Sequence, residues 1–345
     1  LIREALLYEK LEDGLVRCGV CPRRCYIKPG QRGFCKAREN RDGILYAISY
    51  GKLTAANVDP IEKKPFYHFW PGSLSFSISS FGCSLACPWC QNWSISQVGL
   101  EEASYDEVEP ERVVEAASRN NCKTIAYTYN EPLIWLEYVL DVARLAVKKN
   151  ILNVLVTNGY VTLEALDMLA PVFHAANVDI KAFNSTFYPK YCKGRLEDVL
   201  EAVKAMKEKG WHLEITLLVI PTLNDRIEEI RGMARWILEN LGPETPFHLS
   251  QFYPMYKMTH LKSTPVETLV KAREAALQEG LKYVYTGNVP GHPGENTYCP
   301  SCGFTLIKRW GFSILEWNLT PEKTCPRCGE KIPVEGEFSG FRRIF

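Results

Sequence analysis

The sequence contains no run of roughly 18 consecutive apolar residues, and its opening stretch, Leu1 to Lys10, carries charges throughout. Neither a transmembrane helix nor a signal peptide is therefore expected, and the cytoplasm is the expected compartment. Net charge is nearly absent too: 41 Lys and Arg stand against 40 Asp and Glu, a formal +1. Such a balance supplies no overall field to draw the chain onto nucleic acid or a membrane surface but leaves room for a local basic patch, so charge alone does not set the partner class. No membrane partner is expected, and nucleic acid is disfavoured. Histidine is scarce, with six in the chain, and none falls in an HExxH-like pair. No repeat at solenoid periods and no low-complexity segment occurs.

What is present describes a folded, metal-rich protein. Apolar residues make up 46% and charged residues 23% of the 345 positions, the balance of a globular chain. That length suits one large body with small appendages. There are 13 cysteines, and all but Cys122 and Cys192 fall into three spaced clusters. In a reducing compartment clustered spacing points to metal rather than disulfides.

From Leu74 onward, apolar β-type runs alternate with amphipathic helical stretches, the pattern of βα units on a parallel sheet. Strands are predicted at Leu74–Ser79, Thr124–Thr128, Asn153–Thr157, Ala176–Ile180, Leu213–Ile220, Phe247–Gln251 and Tyr283–Thr286. Helices are predicted between them, at Pro110–Asn120, Leu133–Lys149, Leu163–Leu169, Leu196–Lys209, Ile227–Leu241 and Val266–Gln278. The fold class is α/β, a partial (β/α)6-type TIM barrel with small N- and C-terminal cysteine-rich metal modules. Functional residues of such a barrel sit at the C-terminal ends of its strands. The expected organisation is residues 1–72 as an N-terminal metal loop and connector, 73–294 as the barrel, and 295–345 as a zinc-ribbon-like module.

The central cluster, Cys83-x3-Cys87-x2-Cys90, follows the first barrel strand. Three thiolates can hold a [4Fe–4S] cluster while leaving one iron open, since such clusters normally take four. A zinc loop is the competing reading of the bare spacing. Phe81-Gly-Cys83 through Cys90-Gln-Asn92 resembles the signature loop of the radical S-adenosylmethionine (SAM) superfamily, in particular the activating enzymes of glycyl-radical enzymes such as pyruvate formate-lyase. Tyr127-Thr-Tyr-Asn-Glu131-Pro132 stands where that superfamily has a Gly-Gly-Glu-like segment. Val156-Thr157-Asn158-Gly159 is similar to the activases' Thr-Asn-Gly segment, and Val178-Asp179-Ile180-Lys181 to their Asp-x-Lys motif. Ile220-Pro221 to Asn224-Asp225 and Phe247-His248 to Tyr253-Pro254 end the fifth and sixth strands. With the terminal cysteine sets, the likeness extends over nearly the whole chain and is nearest to the radical SAM member of the AmmeMemoRadiSam group.

The resemblance implies a radical SAM enzyme with activating-enzyme-like oxidoreductase chemistry. Cys83, Cys87 and Cys90 would be its cluster ligands and catalytic core. SAM would lie among Tyr129, Asn130, Glu131, Thr157, Asn158, Asp179, Lys181, Asn224 and His248, with Trp89 and Trp93 shielding the cluster. It also implies reductive cleavage of SAM to a 5′-deoxyadenosyl radical, an electron donor such as ferredoxin or flavodoxin, and room for a protein substrate. Modification of a small molecule or another macromolecule is the alternative.

Cys299-x2-Cys302 and Cys325-x2-Cys328 read as two knuckles around one tetrahedral ion, with zinc preferred over a rubredoxin-like iron. Cys18, Cys21, Cys25 and Cys35 form a second full set that suits zinc or an auxiliary [4Fe–4S] cluster, and zinc is slightly preferred. A protein using these knuckles only to bind a partner is the remaining reading, but the basic footprint of a nucleic-acid module is thin.

Overall fold

A computed structural model describes residues 1–340. Its centre is an eight-stranded sheet built from seven parallel strands and one antiparallel edge strand. The parallel strands, Leu74–Ser79, Thr124–Tyr127, Leu152–Thr157, Ala175–Asp179, His212–Val219, Phe247–Gln251 and Val284–Gly287, lie side by side in chain order. They are called the first to seventh below. Helices Pro110–Arg119, Leu136–Lys148, Leu163–Leu169, Leu196–Glu208, Ile227–Asn240 and Val266–Gln278 occupy the crossovers. The sheet stays open: the first strand pairs outward with Ala55–Pro60, an edge strand the periodicity does not announce, rather than with the seventh.

The helices form where expected because their apolar positions recur at helical spacing. In Pro110–Arg119, Pro110, Val113, Val114 and Ala117 are buried while Glu111, Arg112 and Glu115 are exposed. Pro110 occupies the first turn, where its missing N–H costs nothing. Thr162 caps Leu163–Leu169 by accepting from the Ala165 N–H. The second predicted helix is divided, with a short 3-10 turn Pro132–Trp135 leading into Leu136–Lys148.

The connector 60–72 is irregular, as its Pro and aromatic content suggests, but it is not peripheral. It plugs the barrel at the N-terminal ends of the strands. Ile61, Phe66 and Phe69 pack on Ala126, Val154 and Ala175. Glu214 of the fifth strand, fully buried, accepts hydrogen bonds from the backbone N–H groups of Tyr67 and His68, and its oxygens lie against His212 and His248 at 3.1 and 2.6 Å. Burial alone would raise its pKa, but the two imidazoles outweigh it and hold the carboxylate well below its ordinary range.

The N-terminal segment is more regular than its Gly- and Pro-rich sequence implies. Tyr8–Lys10, Val16–Cys18 and Tyr26–Ile27 form one small antiparallel sheet, and Arg3–Glu4, Ile44–Ala47 and Arg38–Arg41 form another. Strands this short leave almost no alternation to read. At the other end, Thr305–Trp310 and Ser313–Trp317 form a hairpin joined by Thr297–Tyr298. The buried Arg309 ties that module to the plug, donating to the Tyr67 carbonyl at 3.1 Å and lying 4.1 Å over the Tyr67 ring. Residues 341–345 of the expected C-terminal module lie outside the described residues. No helix among the described residues is long and apolar enough to cross a membrane.

Candidate active site

A cavity of about 410 Å³ opens at the C-terminal ends of the parallel strands. Its size falls within the roughly 300–1,000 Å³ usual for small-molecule sites. Cys83, Cys87 and Cys90 line it from the loop after the first strand. That loop is held by backbone bonds at both ends: Gly82 N–H donates to Ile95 O at 2.8 Å, and Ala86 N–H to Cys192 O at 2.9 Å. Gly82 has φ +85°, and a Cβ there would come within 2.1 Å of the Cys35 carbonyl, so glycine is required. Ser96 hydroxyl lies 3.1 Å from Cys90 Sγ. Trp89 is buried against Phe187 and Tyr191 and gives the loop an apolar wall. Trp93 is 42% exposed and stacks on Tyr256, so it belongs to the rim and not to the shield.

The second strand brings Tyr129, Asn130 and Glu131 to the cavity. Tyr129 stands where a Gly-Gly-like segment is expected, yet its φ of +68° is one that glycine favours. A non-glycine residue in that region costs on the order of 1–3 kcal/mol and persists only where its surroundings enforce it. Here they do. Its carbonyl accepts from Asn92 at 2.9 Å, and its hydroxyl is bonded to Asp59, which also pairs with the buried Lys64 at 2.7 Å. Asn130 bridges to the cysteine loop, accepting from Ser80 N–H and donating to the Gly82 carbonyl.

Glu131 is 2% exposed and accepts from the Thr157 hydroxyl at 2.8 Å and from the N–H groups of Leu133 and Asn158. Burial pushes its carboxyl up to about 7, against those hydrogen bonds. Asn158 reaches from the third strand to Ser84 Oγ and to Cys83 Sγ. Asp179 and Lys181, two residues apart and so on one face, form an ion pair at 3.2 Å. Burial works against the Lys181 charge, but Asp179 and the nearby Cys87 and Cys192 sulfurs outweigh it and keep the ammonium protonated.

Two expected cofactor contacts lie elsewhere. His248 is the second residue of the sixth strand rather than its end, so it faces Glu214 and the plug and stacks on Tyr285. Asn224 does not line the cavity. It accepts from Ile220 N–H and donates to the carbonyls of Lys181 and Leu218, which shapes the backbone behind Lys181. Sequence reasoning missed Lys64, Thr216, Ser250, Asn288 and Phe312, all of which line the cavity. Thr216 lies on a predicted strand that no motif marks there, and Ser250 lies within the segment Phe247 to Pro254 without being singled out. Phe312, at the turn of the C-terminal hairpin, comes from a different module. Cys192 is fully buried and its carbonyl accepts from Ala86 N–H of the cluster loop, close to that loop but outside the cavity lining.

The donor set suits the cofactors. Three thiols share one loop with an apolar wall, and a carboxylate and an ammonium line the same space from beyond the ends of the second and fourth strands. The model of the radical SAM superfamily matches residues 77–237. This chain belongs to the radical SAM superfamily. Membership makes it an enzyme that uses a [4Fe–4S] cluster and SAM. It is 50% identical over 334 residues to uncharacterized protein MJ0808 of Methanocaldococcus jannaschii, covering 96% of this chain and 99% of that one. Uncharacterized protein MJ0674 of the same organism is 26% identical over 283 residues, covering 78% of this chain and 76% of its own. Among solved structures, a radical SAM methyltransferase from Sphaerobacter thermophilus aligns with a TM-score of 0.53 and 16% identity, over 85% of this chain and 80% of that one. That last likeness is one of fold.

The C-terminal cysteines make a separate centre. Cys299 and Cys328 sulfurs lie 3.5 Å apart, Cys302 and Cys325 3.7 Å, and all four ligand atoms fall within 4.8 Å of one another. This quartet can hold a metal.

Proposed function

We propose that this radical SAM enzyme holds its [4Fe–4S] cluster on Cys83, Cys87 and Cys90 and removes a hydrogen atom from a glycyl residue of a partner polypeptide. The observation that carries the cluster assignment is the convergence of the three thiols, Glu131 and the Asp179–Lys181 pair on one cavity at the strand C-termini. When bound, the cluster supplies one electron for reductive cleavage of SAM to methionine and the 5′-deoxyadenosyl radical.

The chain's own residues bind and orient. Cys83, Cys87 and Cys90 would hold the cluster, and with three thiolates instead of four a position would remain for the methionine end of SAM. Glu131, already positioned by Thr157 and two backbone N–H groups, accepts from the SAM ammonium, a charge-assisted bond that also favours its ionised form. Lys181 would pair with the SAM carboxylate, and Asp179 holds Lys181 in place. The left-handed Tyr129 turns its backbone toward the same space. Trp89 and its aromatic neighbours keep water from the cluster side, which protects a radical from quenching.

A polypeptide substrate is supported by the rim. Trp93 stacked on Tyr256, with Tyr253 and Phe312, exposes aromatic surface beside the cavity mouth. Tyr253 hydroxyl bonds the carbonyl of the cavity residue Asn288, and the backbone of Lys257 bonds Pro88 of the cluster loop. Aromatic rims of this kind are common where a partner docks. The polar inner wall of Lys64, Ser250 and Asn288 supports the second reading, a small polar molecule. A ferredoxin- or flavodoxin-like donor delivers the electron, and zinc at Cys299, Cys302, Cys325 and Cys328 braces the C-terminal hairpin module against the barrel.

The test is anaerobic turnover of the iron-reconstituted enzyme with SAM and a strong reductant, measuring 5′-deoxyadenosine. Adding glycine-containing polypeptides deuterated at the glycyl α-carbon should place deuterium in that product. Deuterium entering only from a small molecule would reverse the order of the two readings.

A further inference from the structure

The two terminal cysteine quartets differ in shape. Four thiolates around one zinc, with bonds of about 2.3 Å, bring their sulfurs to about 3.8 Å from one another by tetrahedral geometry. The C-terminal sulfurs already stand at that spacing, with pairs at 3.5 and 3.7 Å. Among the described residues, theirs is the set of three or more such ligand atoms that closes to within 4.8 Å. Cys18, Cys21, Cys25 and Cys35 do not draw together this way. They stand around a hollow, walled on its other sides by apolar groups of Ile27, Phe34 and Ile134. The three central cysteines share the wider spacing, as expected where iron and sulfide must fit between thiolates.

The hollow also contains an unused donor. Arg38 lines it and is 1% exposed. Its Nε donates to Ile134 O at 2.9 Å and its Nη2 to Glu137 at 2.7 Å, while Nη1 has no hydrogen-bond partner among the described residues. Leaving a buried N–H of a charged group unpaired is unfavourable. An anionic group among the four thiols would pair it, and a thiolate-ligated cluster carries both the negative charge and the sulfur acceptors.

The surroundings hold the hollow open and join it to the cavity. Thr162, the cap of the helix Leu163–Leu169, donates to the carbonyl of Gly19 at 2.7 Å. Arg23 donates to the carbonyls of Ser84 and Lys193. Ser84 lines the hollow and follows Cys83, and Gly82 packs directly on the Cys35 carbonyl. The two sets of thiols are thus separated by little more than one backbone contact.

We propose that Cys18, Cys21, Cys25 and Cys35 hold a second [4Fe–4S] cluster, fully ligated by cysteine and placed directly behind the loop of Cys83, Cys87 and Cys90. This revises the preference for zinc drawn from spacing alone. The site stands on its own geometry and does not depend on the substrate of the enzyme.

The test is iron, sulfide and zinc content, with Mössbauer spectra, of the full chain produced and purified without oxygen. The native protein should carry about eight irons and eight sulfides per chain, two four-iron clusters. A Cys83→Ala/Cys87→Ala/Cys90→Ala variant should keep about four of each, with a cubane spectrum, and one further change, Cys21→Ala, should remove them. Four irons in the native protein that vanish in the triple variant, zinc in their place, or iron without sulfide would overturn the proposal. Four irons in the native protein that survive in the triple variant would instead overturn the central assignment and leave this one standing. Should the triple variant fail to fold, Cys21→Ala alone decides: a loss of about four irons relative to the native protein supports the proposal, and an iron content equal to the native protein's overturns it.

Discussion

The two ends of the half-barrel use similar residues for opposite ends. At the N-terminal mouth, Glu214 is saturated: two backbone N–H groups and two imidazoles meet one carboxylate that solvent never reaches. At the C-terminal mouth Glu131 is as deeply buried, but it is held by N–H and O–H groups, and burial pushes it up to about 7 against those bonds and the more distant Lys181 charge. A saturated buried carboxylate holds a fold together. One with no cation in direct contact is prepared for a ligand that brings one.

Four changes test that contrast, in decreasing order of expected effect. Cys87→Ala should reduce 5′-deoxyadenosine formation to background, because the cluster loses one of its three ligands while the opposite mouth is untouched. Glu214→Ala should act by stability, lowering it by about 3–5 kcal/mol, since it strands His212, His248 and two N–H groups in the interior. Thermal unfolding would register this. A loss of SAM turnover without a lower melting temperature would break the contrast. Glu131→Gln should do the reverse, raising the SAM concentration needed for half-maximal turnover about 10–100-fold, as expected for losing a charge-assisted bond of about 1.5–3 kcal/mol, with little change in melting.

The smallest effect is in pH. Burial opposes protonation of His212, but Glu214 and Glu335 outweigh it and raise its pKa to about 9. A folded-state value above the unfolded value of about 6.5 adds stability that is complete below that pH and lost as pH rises through about 9. The melting difference between the native protein and His212→Gln should therefore shrink from pH 6 to pH 10. A constant difference would mean that packing on Phe66 and Phe69, and not charge, is what His212 contributes.

The sequence made the parallel strands and their helices legible because each buries a long, regular apolar face. Phe247–Gln251, Leu163–Leu169 and Val266–Gln278 coincide with expectation. The cysteine loop was equally legible, since its chemistry lies in local spacing. His248 misled although its strand was predicted correctly: it is the second residue of Phe247–Gln251, and the segment Phe247 to Pro254 reads as a whole as a strand end, whereas the two ends face different mouths.

Local pattern by itself determined the βα order, the three cysteine sets and the residues at the strand ends, because each depends on neighbours within a few positions along the chain. Only the tertiary structure decided that 60–72 plugs the barrel, that Phe312 of the C-terminal hairpin reaches the cavity, and that the N-terminal thiols stand apart around a hollow while the C-terminal ones close on a point. Those outcomes depend on contacts between segments far apart in sequence, such as Cys35 against Gly82 and Tyr67 against Glu214, and no local spacing encodes them.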